Sequence, residues 1–216
     1  MGLSQSHLLQ FDDKTQIHQQ MKTAFVGLQK AALQAGFNLK IASGFRDFHC
    51  QKLIWNNKYL GKRPILDENE QALDLAKLNE KEKLLSILHW SALPGASRHH
   101  WGCDIDIYDP SLLPENKSLQ LTCSEYDQSG YFQDLVNWLD ENKSTFDFYL
   151  PYQTYQGGVA REPWHISYRP LAEIAMQQYN EEILYHLINK EQVEGKVLIL
   201  EQLPLIYKQF ITNVCH

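Results

Sequence analysis

No run of about 18 apolar residues occurs in the chain, so nothing in it reads as a membrane-spanning helix. An export signal is also missing from the start. Residues 1–14 hold no apolar run, and Asp12 and Asp13 interrupt them. The nearest imitation, residues 21–35, is broken by Lys22, Gln29, Lys30 and Gln34. A cytoplasmic location is expected on that basis, or a periplasmic one if a leader has been removed. Cysteine is scarce: Cys50, Cys103, Cys123 and Cys215 are scattered and form no CxxC pair. That pattern fits reduced, structural thiols better than a disulfide framework. No long stretch carries one sign of charge, and the net charge is −6, which argues against a nucleic-acid surface. Internal repeats, low-complexity tracts and linkers are absent too. The 216 residues suffice for one domain with a full core.

What is present is a mixture of helical and strand patterns. Ile17, Met21, Ala24, Phe25, Leu28 and Ala32 recur at helical spacing and predict a helix over 14–35, with Asp12 as N-cap and Gly36 as stop. Residues 38–43 alternate like a strand, and a helix is expected over 47–59. Residues 61–74 read as a loop and 79–90 as a helix with Leu84, Leu85 and Leu88 buried. In 101–108, Cys103, Ile105 and Ile107 point one way while Asp104, Asp106 and Tyr108 point the other. A short helix over 131–141, strands over 146–153 and 164–168, and helices over 171–190 and 201–214 complete the pattern. Strands and helices do not alternate regularly. The expected class is therefore α+β, a mainly antiparallel central sheet flanked by helices.

Two segments carry the chemistry: Ser97-Arg98-His99-His100-Trp101-Gly102-Cys103-Asp104-Ile105-Asp106 and Glu162-Pro163-Trp164-His165. Together they offer two imidazoles, a carboxylate ligand and a spare carboxylate. A catalytic zinc needs three protein ligands, an open position for water, and a base to take that water's proton. Gly102 lets the chain turn, so His99 can fold back toward Asp106. On a regular strand Glu162 and His165 would face opposite ways, so they converge only if the backbone bends near Pro163.

The two segments resemble the SxHxxGxxxD and ExxH motifs of the VanY-type D-alanyl-D-alanine carboxypeptidases, which share a zinc fold with the hedgehog proteins. Upstream, Ser43-Gly44-Phe45-Arg46-Asp47-Phe48-His49-Cys50-Gln51 is similar to that family's SGYRxxxxQ segment. The resemblance covers roughly residues 28–168, with the three motifs in family order. It implies a single Zn2+ held by His99, Asp106 and His165, with Glu162 as general base and acid. It also implies that Arg46 grips the substrate and its developing negative charge, and that Ser97 lines the same pocket. The implied substrates are short cell-wall peptides. L,D-carboxypeptidase, endopeptidase and non-catalytic zinc-binding readings of the same site stay open, although the retained Glu162 speaks against the last. Two departures stand out. Asp104 occupies a position usually held by a small alanine, and a helical extension over about 171–216 has no counterpart in the minimal family core. His49, His100, Cys103, Trp101, Trp164 and the Cys215–His216 terminus are expected to be structural or incidental rather than ligands.

Overall fold

A sheet whose polar face is as buried as its apolar face organises the molecule. The computed structural model describes residues 1–216. A small ribbon of β1 (Leu8–Gln10) and β2 (Gln16–His18) precedes α1 (Lys22–Gln34), β3 (Lys40–Ser43), α2 (Phe48–Tyr59) and α3 (Glu80–Trp90). Next come β4 (Asp104–Tyr108), the single turn α4 (Cys123–Tyr126), α5 (Gln133–Asn142), β5 (Phe148–Tyr149) and β6 (His165–Tyr168). The C-terminal part is helical: α6 (Arg169–Gln178), α7 (Glu181–Lys190), α8 (Lys196–Glu201) and α9 (Leu203–Ile206), ending in a π-turn over Tyr207–Ile211. None of these helices is long and apolar enough to cross a membrane.

The main sheet is antiparallel in the order β3-β4-β6-β5, which is the α+β architecture expected. Its apolar face presents Ile41, Ile105, Ile107 and Ile166 to Phe25, Leu28 and Ala32 of α1 and to Leu135 and Leu139 of α5. A second core lies between α2, α3 and the C-terminal helices: Trp55, Leu84, Ile87 and Leu88 pack with Leu184, Ile188, Ile199 and Ile206. The region after α6 is thus a wall behind the α2–α3 pair, built on its apolar side.

Several expected boundaries differ for identifiable reasons. The helix predicted over 14–35 begins only at Lys22, because Gln16–His18 pairs with Leu8–Gln10 instead. Ile17 is buried as a strand residue, and Asp12 caps the ribbon's turn by accepting from the amides of Lys14 and Thr15. Long-range pairing overrides a helical stripe at its first turn. The strand predicted over 146–153 shrinks to Phe148–Tyr149. The predicted 171–190 helix breaks at Tyr179–Asn180, where the Asn180 side chain caps α7 by accepting from the Ile183 amide at 2.9 Å. The segment 201–214 is split into short turns rather than one helix.

Candidate metal and peptide-binding site

Strand pairing assembles the site. In the register of β4 with β6, Asp106 stands opposite His165 and Asp104 stands opposite Ser167. Cross-strand neighbours on one face lie within side-chain reach, so residues 59 positions apart in sequence meet by register alone. His99 arrives from the 3-10 turn Arg98–Trp101 that precedes β4. Gly102 closes that turn at φ +71°, and a Cβ there would lie 2.6 Å from Leu8 Cδ2 and 3.0 Å from the His18 amide nitrogen. Glycine is therefore required both by conformation and by the close passage of the β1–β2 ribbon.

The three side chains converge. Nε2 of His99 is 3.4 Å from Oδ2 of Asp106, and Nδ1 of His165 is 3.2 Å from its Oδ1. One ligand atom from each of His99, Asp106 and His165 lies within 4.8 Å of the others. The far nitrogen of each imidazole is already engaged. His99 Nδ1 donates to the Gly44 carbonyl at 3.0 Å, and His165 Nε2 donates to Asp104 at 3.1 Å. Those bonds aim His99 Nε2 and His165 Nδ1 inward, where each can offer a lone pair to a cation. Burial opposes protonation of His165, but hydrogen bonds to Asp104, Asp106 and Glu162 outweigh it and raise the pKa of that imidazole well above its ordinary range, so a cation would take the place of its proton. Burial lowers the His99 pKa to about 4, so its imidazole is neutral at physiological pH, as a ligand must be. Oδ1 of Asp106 is buried with no hydrogen-bond partner, since the approach of His165 Nδ1 is off the bonding direction. A buried carboxylate with one oxygen unpartnered and an imidazole nitrogen near each of its oxygens matches a divalent cation with N₂O ligation.

Glu162 reaches the same point. The backbone turns at Pro163, with the His165 amide bonded to the Glu162 carbonyl at 3.1 Å, and this bend brings both side chains to one side. Oε2 of Glu162 lies 3.3 Å from His165 Nδ1. Burial pushes the Glu162 carboxyl above the ordinary range, helped by nearby Asp106, although His165 and Arg46 pull the other way. A carboxyl with a raised proton affinity is suited to taking and returning a proton near neutral pH.

Arg46 faces the cluster from the end of the loop after β3. Its guanidinium donates to Gln51 Oε1 at 2.9 Å and Ser43 Oγ at 3.0 Å, and no carboxylate neutralises it. The pairing of Arg46 with Gln51 gives a physical reason for the arginine-to-glutamine spacing in the upstream segment. Ser97 starts the 3-10 turn and, with Arg46, His99, Asp106, Glu162 and His165, lines one cleft of about 390 Å³. All six residues singled out in the sequence therefore meet in one place.

His100 points away. Its Nε2 accepts from the Gly95 amide at 3.0 Å and its Nδ1 donates to the Arg46 carbonyl, so it ties the turn to the Arg46 loop. Cys103 is buried on the apolar face, and Trp101 and Trp164 pack against hydrophobic neighbours. The sequence motifs gave no role to Arg98, Tyr149 or Ser167, and singled out Asp104 only as a departure on the face of Asp106. Arg98, 4 % exposed, donates to Asp104 at 2.6 Å, to Tyr149 Oη at 2.7 Å and to Ser167 Oγ at 2.9 Å. Asp104, the departure from the family alanine, thus bridges a buried guanidinium and the imidazole of His165.

Comparison with known proteins identifies the family and the fold. The family model VanY: D-alanyl-D-alanine carboxypeptidase matches residues 14–171. The chain belongs to the VanY family. Its relatives include an uncharacterized Haemophilus influenzae protein, 47% identical over 121 residues, which span 55% of this chain and 92% of the relative. An Enterococcus faecalis D-alanyl-D-alanine carboxypeptidase is 32% identical over 82 residues, 37% of this chain and a quarter (25%) of that protein's length. Among solved structures, VanYB in complex with D-alanine-D-alanine superposes with TM-score 0.54 at 24% identity, covering 86% of this chain and 89% of that one. The LdcB LD-carboxypeptidase also gives 0.54, at 22% identity over 80% and 73%. At these identities the superpositions establish the VanY-type fold. The activity class of the family is carboxypeptidase, hydrolysis of the last peptide bond of a chain.

Proposed function

We propose that this VanY-family chain is a zinc D,D-carboxypeptidase that removes the terminal D-alanine from short cell-wall peptides. The observation that carries this reading is the convergence of His99, Asp106 and His165 beside Glu162, with the guanidinium of Arg46 facing them across the cleft. Held by those three ligands, zinc would supply Lewis-acid polarisation and make water acidic enough to lose a proton near neutral pH. Glu162 takes that proton as the water oxygen bonds to the scissile carbonyl carbon. Arg46 donates N–H groups to the carbonyl oxygen as negative charge collects there. As the C–N bond breaks, Glu162 returns the proton to the departing amine, leaving a new carboxylate and a free D-alanine. The Tyr152 ring, 5.1 Å from that of His165, walls one side of the cleft.

The deciding assay incubates the zinc-loaded protein with D-alanyl-D-alanine, a pentapeptide stem, a tetrapeptide stem and a cross-linked stem dimer, and identifies each product. Release of D-alanine from the pentapeptide is expected. Release only from the tetrapeptide assigns L,D-specificity. Cutting of cross-linked peptides without a freed terminal residue assigns an endopeptidase.

A further inference from the structure

The face of α2 that carries Gln51 continues into the cleft. Gln51, Ile54 and Lys58 recur at three- and four-residue spacing, so one side of the helix presents all three. Gln51 holds Arg46, while Ile54 and Lys58 line the same cleft as Glu162 and the three ligands. The Lys58 amine is anchored: Nζ donates to Ser91 Oγ at 2.7 Å, and Ser91 is the residue that ends α3. Two rigid helices thus fix the position of this one ammonium group.

Its charge has no internal partner. The half-buried lysines nearby differ: Lys52, on the same helix, pairs with Glu191 at 2.8 Å, and Lys83 with Glu80 at 2.9 Å. Lys58 meets only the Ser91 hydroxyl. Burial, and then the neighbouring cation Arg63, lowers its pKa to about 8; Glu162 opposes this in part, and Arg46 adds a smaller push downward. A cation taken out of water without a counter-charge is costly to keep, and an anion arriving from solution would restore the balance. The cleft carries charge of both signs. Asp106 and Glu162 belong to the ligand cluster, which Arg46 faces and where Asp104 holds Arg98, while Lys58 on α2 and Arg63 on the loop after it add positive charge to the cleft wall. A carboxypeptidase substrate brings a negative charge, since its terminal carboxylate lies one residue beyond the bond to be cut.

We infer that Lys58, positioned by Ser91, binds the C-terminal carboxylate of the substrate, which leaves Arg46 free to act on the scissile carbonyl oxygen. This rests on the carboxypeptidase reading and divides its two anionic tasks between two cations.

The test compares two peptides ending in D-Ala-D-Ala, one with a free terminal carboxylate and one with a terminal carboxamide, in the zinc-loaded wild type and in Lys58→Met, Lys58→Gln and Lys58→Arg. The wild type should prefer the free acid. A charged hydrogen bond is worth about 1.5–3 kcal/mol, so Lys58→Met and Lys58→Gln should raise KM for the free acid on the order of 10- to 100-fold. In both, kcat should change little and the acid-over-amide preference should collapse. Lys58→Arg should recover part of the preference, which a merely structural role of Lys58 would not predict. If either neutral variant folds, binds zinc and keeps the wild-type preference, the carboxylate is held elsewhere and the inference is wrong. A wild type that cleaves both peptides equally well would also overturn it while leaving the hydrolase intact. A wild type that cleaves neither would remove the carboxypeptidase reading itself, and this inference with it.

Discussion

Asp104→Ala should damage the protein in two separable ways. Asp104 is fully buried and holds Arg98 at 2.6 Å, and Arg98 is itself 4 % exposed. Removing the carboxylate leaves the guanidinium with only the neutral oxygens of Tyr149 and Ser167 and the rings of Trp101 and Tyr149 around it. Stranding one member of a buried ion pair costs roughly 3–5 kcal/mol, whereas replacing both members by apolar groups is often close to neutral. Asp104→Ala should therefore lose about that much unfolding free energy, and Arg98→Met combined with Asp104→Ala should recover most of it. Although burial alone would raise the Asp104 carboxyl, Arg98 and His165 overcome it and hold the group well below the ordinary carboxylate range. A depressed carboxyl stabilises the fold above its unfolded pKa and loses that contribution only as pH falls toward the folded value, so a neutral-pH assay sees the whole effect. Denaturant titrations should be run in excess chelator, because a metal bound only to the native state would add its own stabilisation. The second effect is on metal binding. With Asp104 gone, Nε2 of His165 has no acceptor to fix its tautomer, and such losses weaken metal affinity about 10–100-fold. Competition against a chromophoric chelator measures this, and Asp104→Asn, which keeps an acceptor oxygen but not the charge, should fall between wild type and alanine. An Asp104→Ala protein within about 0.5 kcal/mol of wild type, with unchanged zinc affinity, would refute the bridging role given to this carboxylate.

Three other outcomes follow from the site. Glu162→Gln should retain about one zinc per chain by elemental analysis yet lose about 10²–10⁴-fold in kcat, and near-wild-type turnover would place the base elsewhere. His99→Ala and His165→Ala should each leave the protein folded by circular dichroism but fail to hold zinc through gel filtration, whereas His100→Ala should keep the metal, since His100 faces the Arg46 carbonyl and the Gly95 amide. Arg46→Ala should lower kcat about 10²–10³-fold with a smaller change in KM, as expected for a group that acts on developing charge. Arg46→Lys should rescue only in part, because an ammonium group cannot hold Gln51, Ser43 and the substrate in one planar fork. Arg46→Ala kinetics matching wild type would take Arg46 out of the site.

The sequence by itself determined the local parts of this protein. Alternation in Cys103–Tyr108 set which residues of β4 face the core, and Asp47, Asn79 and Gly36 marked helix ends that the structure retains at α2, α3 and α1. The resemblance of three spaced motifs to the VanY family, rather than any local geometry, implied that Arg46, Ser97, His99, Asp106, Glu162 and His165 share one site. Tertiary structure decided the rest. Register between β4 and β6 set Asp106 against His165 and Asp104 against Ser167, and no local pattern encodes a pairing across so long a stretch of chain. The first turn of the predicted α1 became a strand because a partner eight residues upstream offered its hydrogen bonds. Lys58 and Arg98 look like ordinary surface cations in sequence. Only packing removed Arg98 from water and gave it Asp104, and only the meeting of α2 with the end of α3 left Lys58 bonded to a hydroxyl and to no carboxylate. Charge burial is a property of the assembled fold, since it depends on which distant segments exclude water from a side chain and which of them bring a counter-charge.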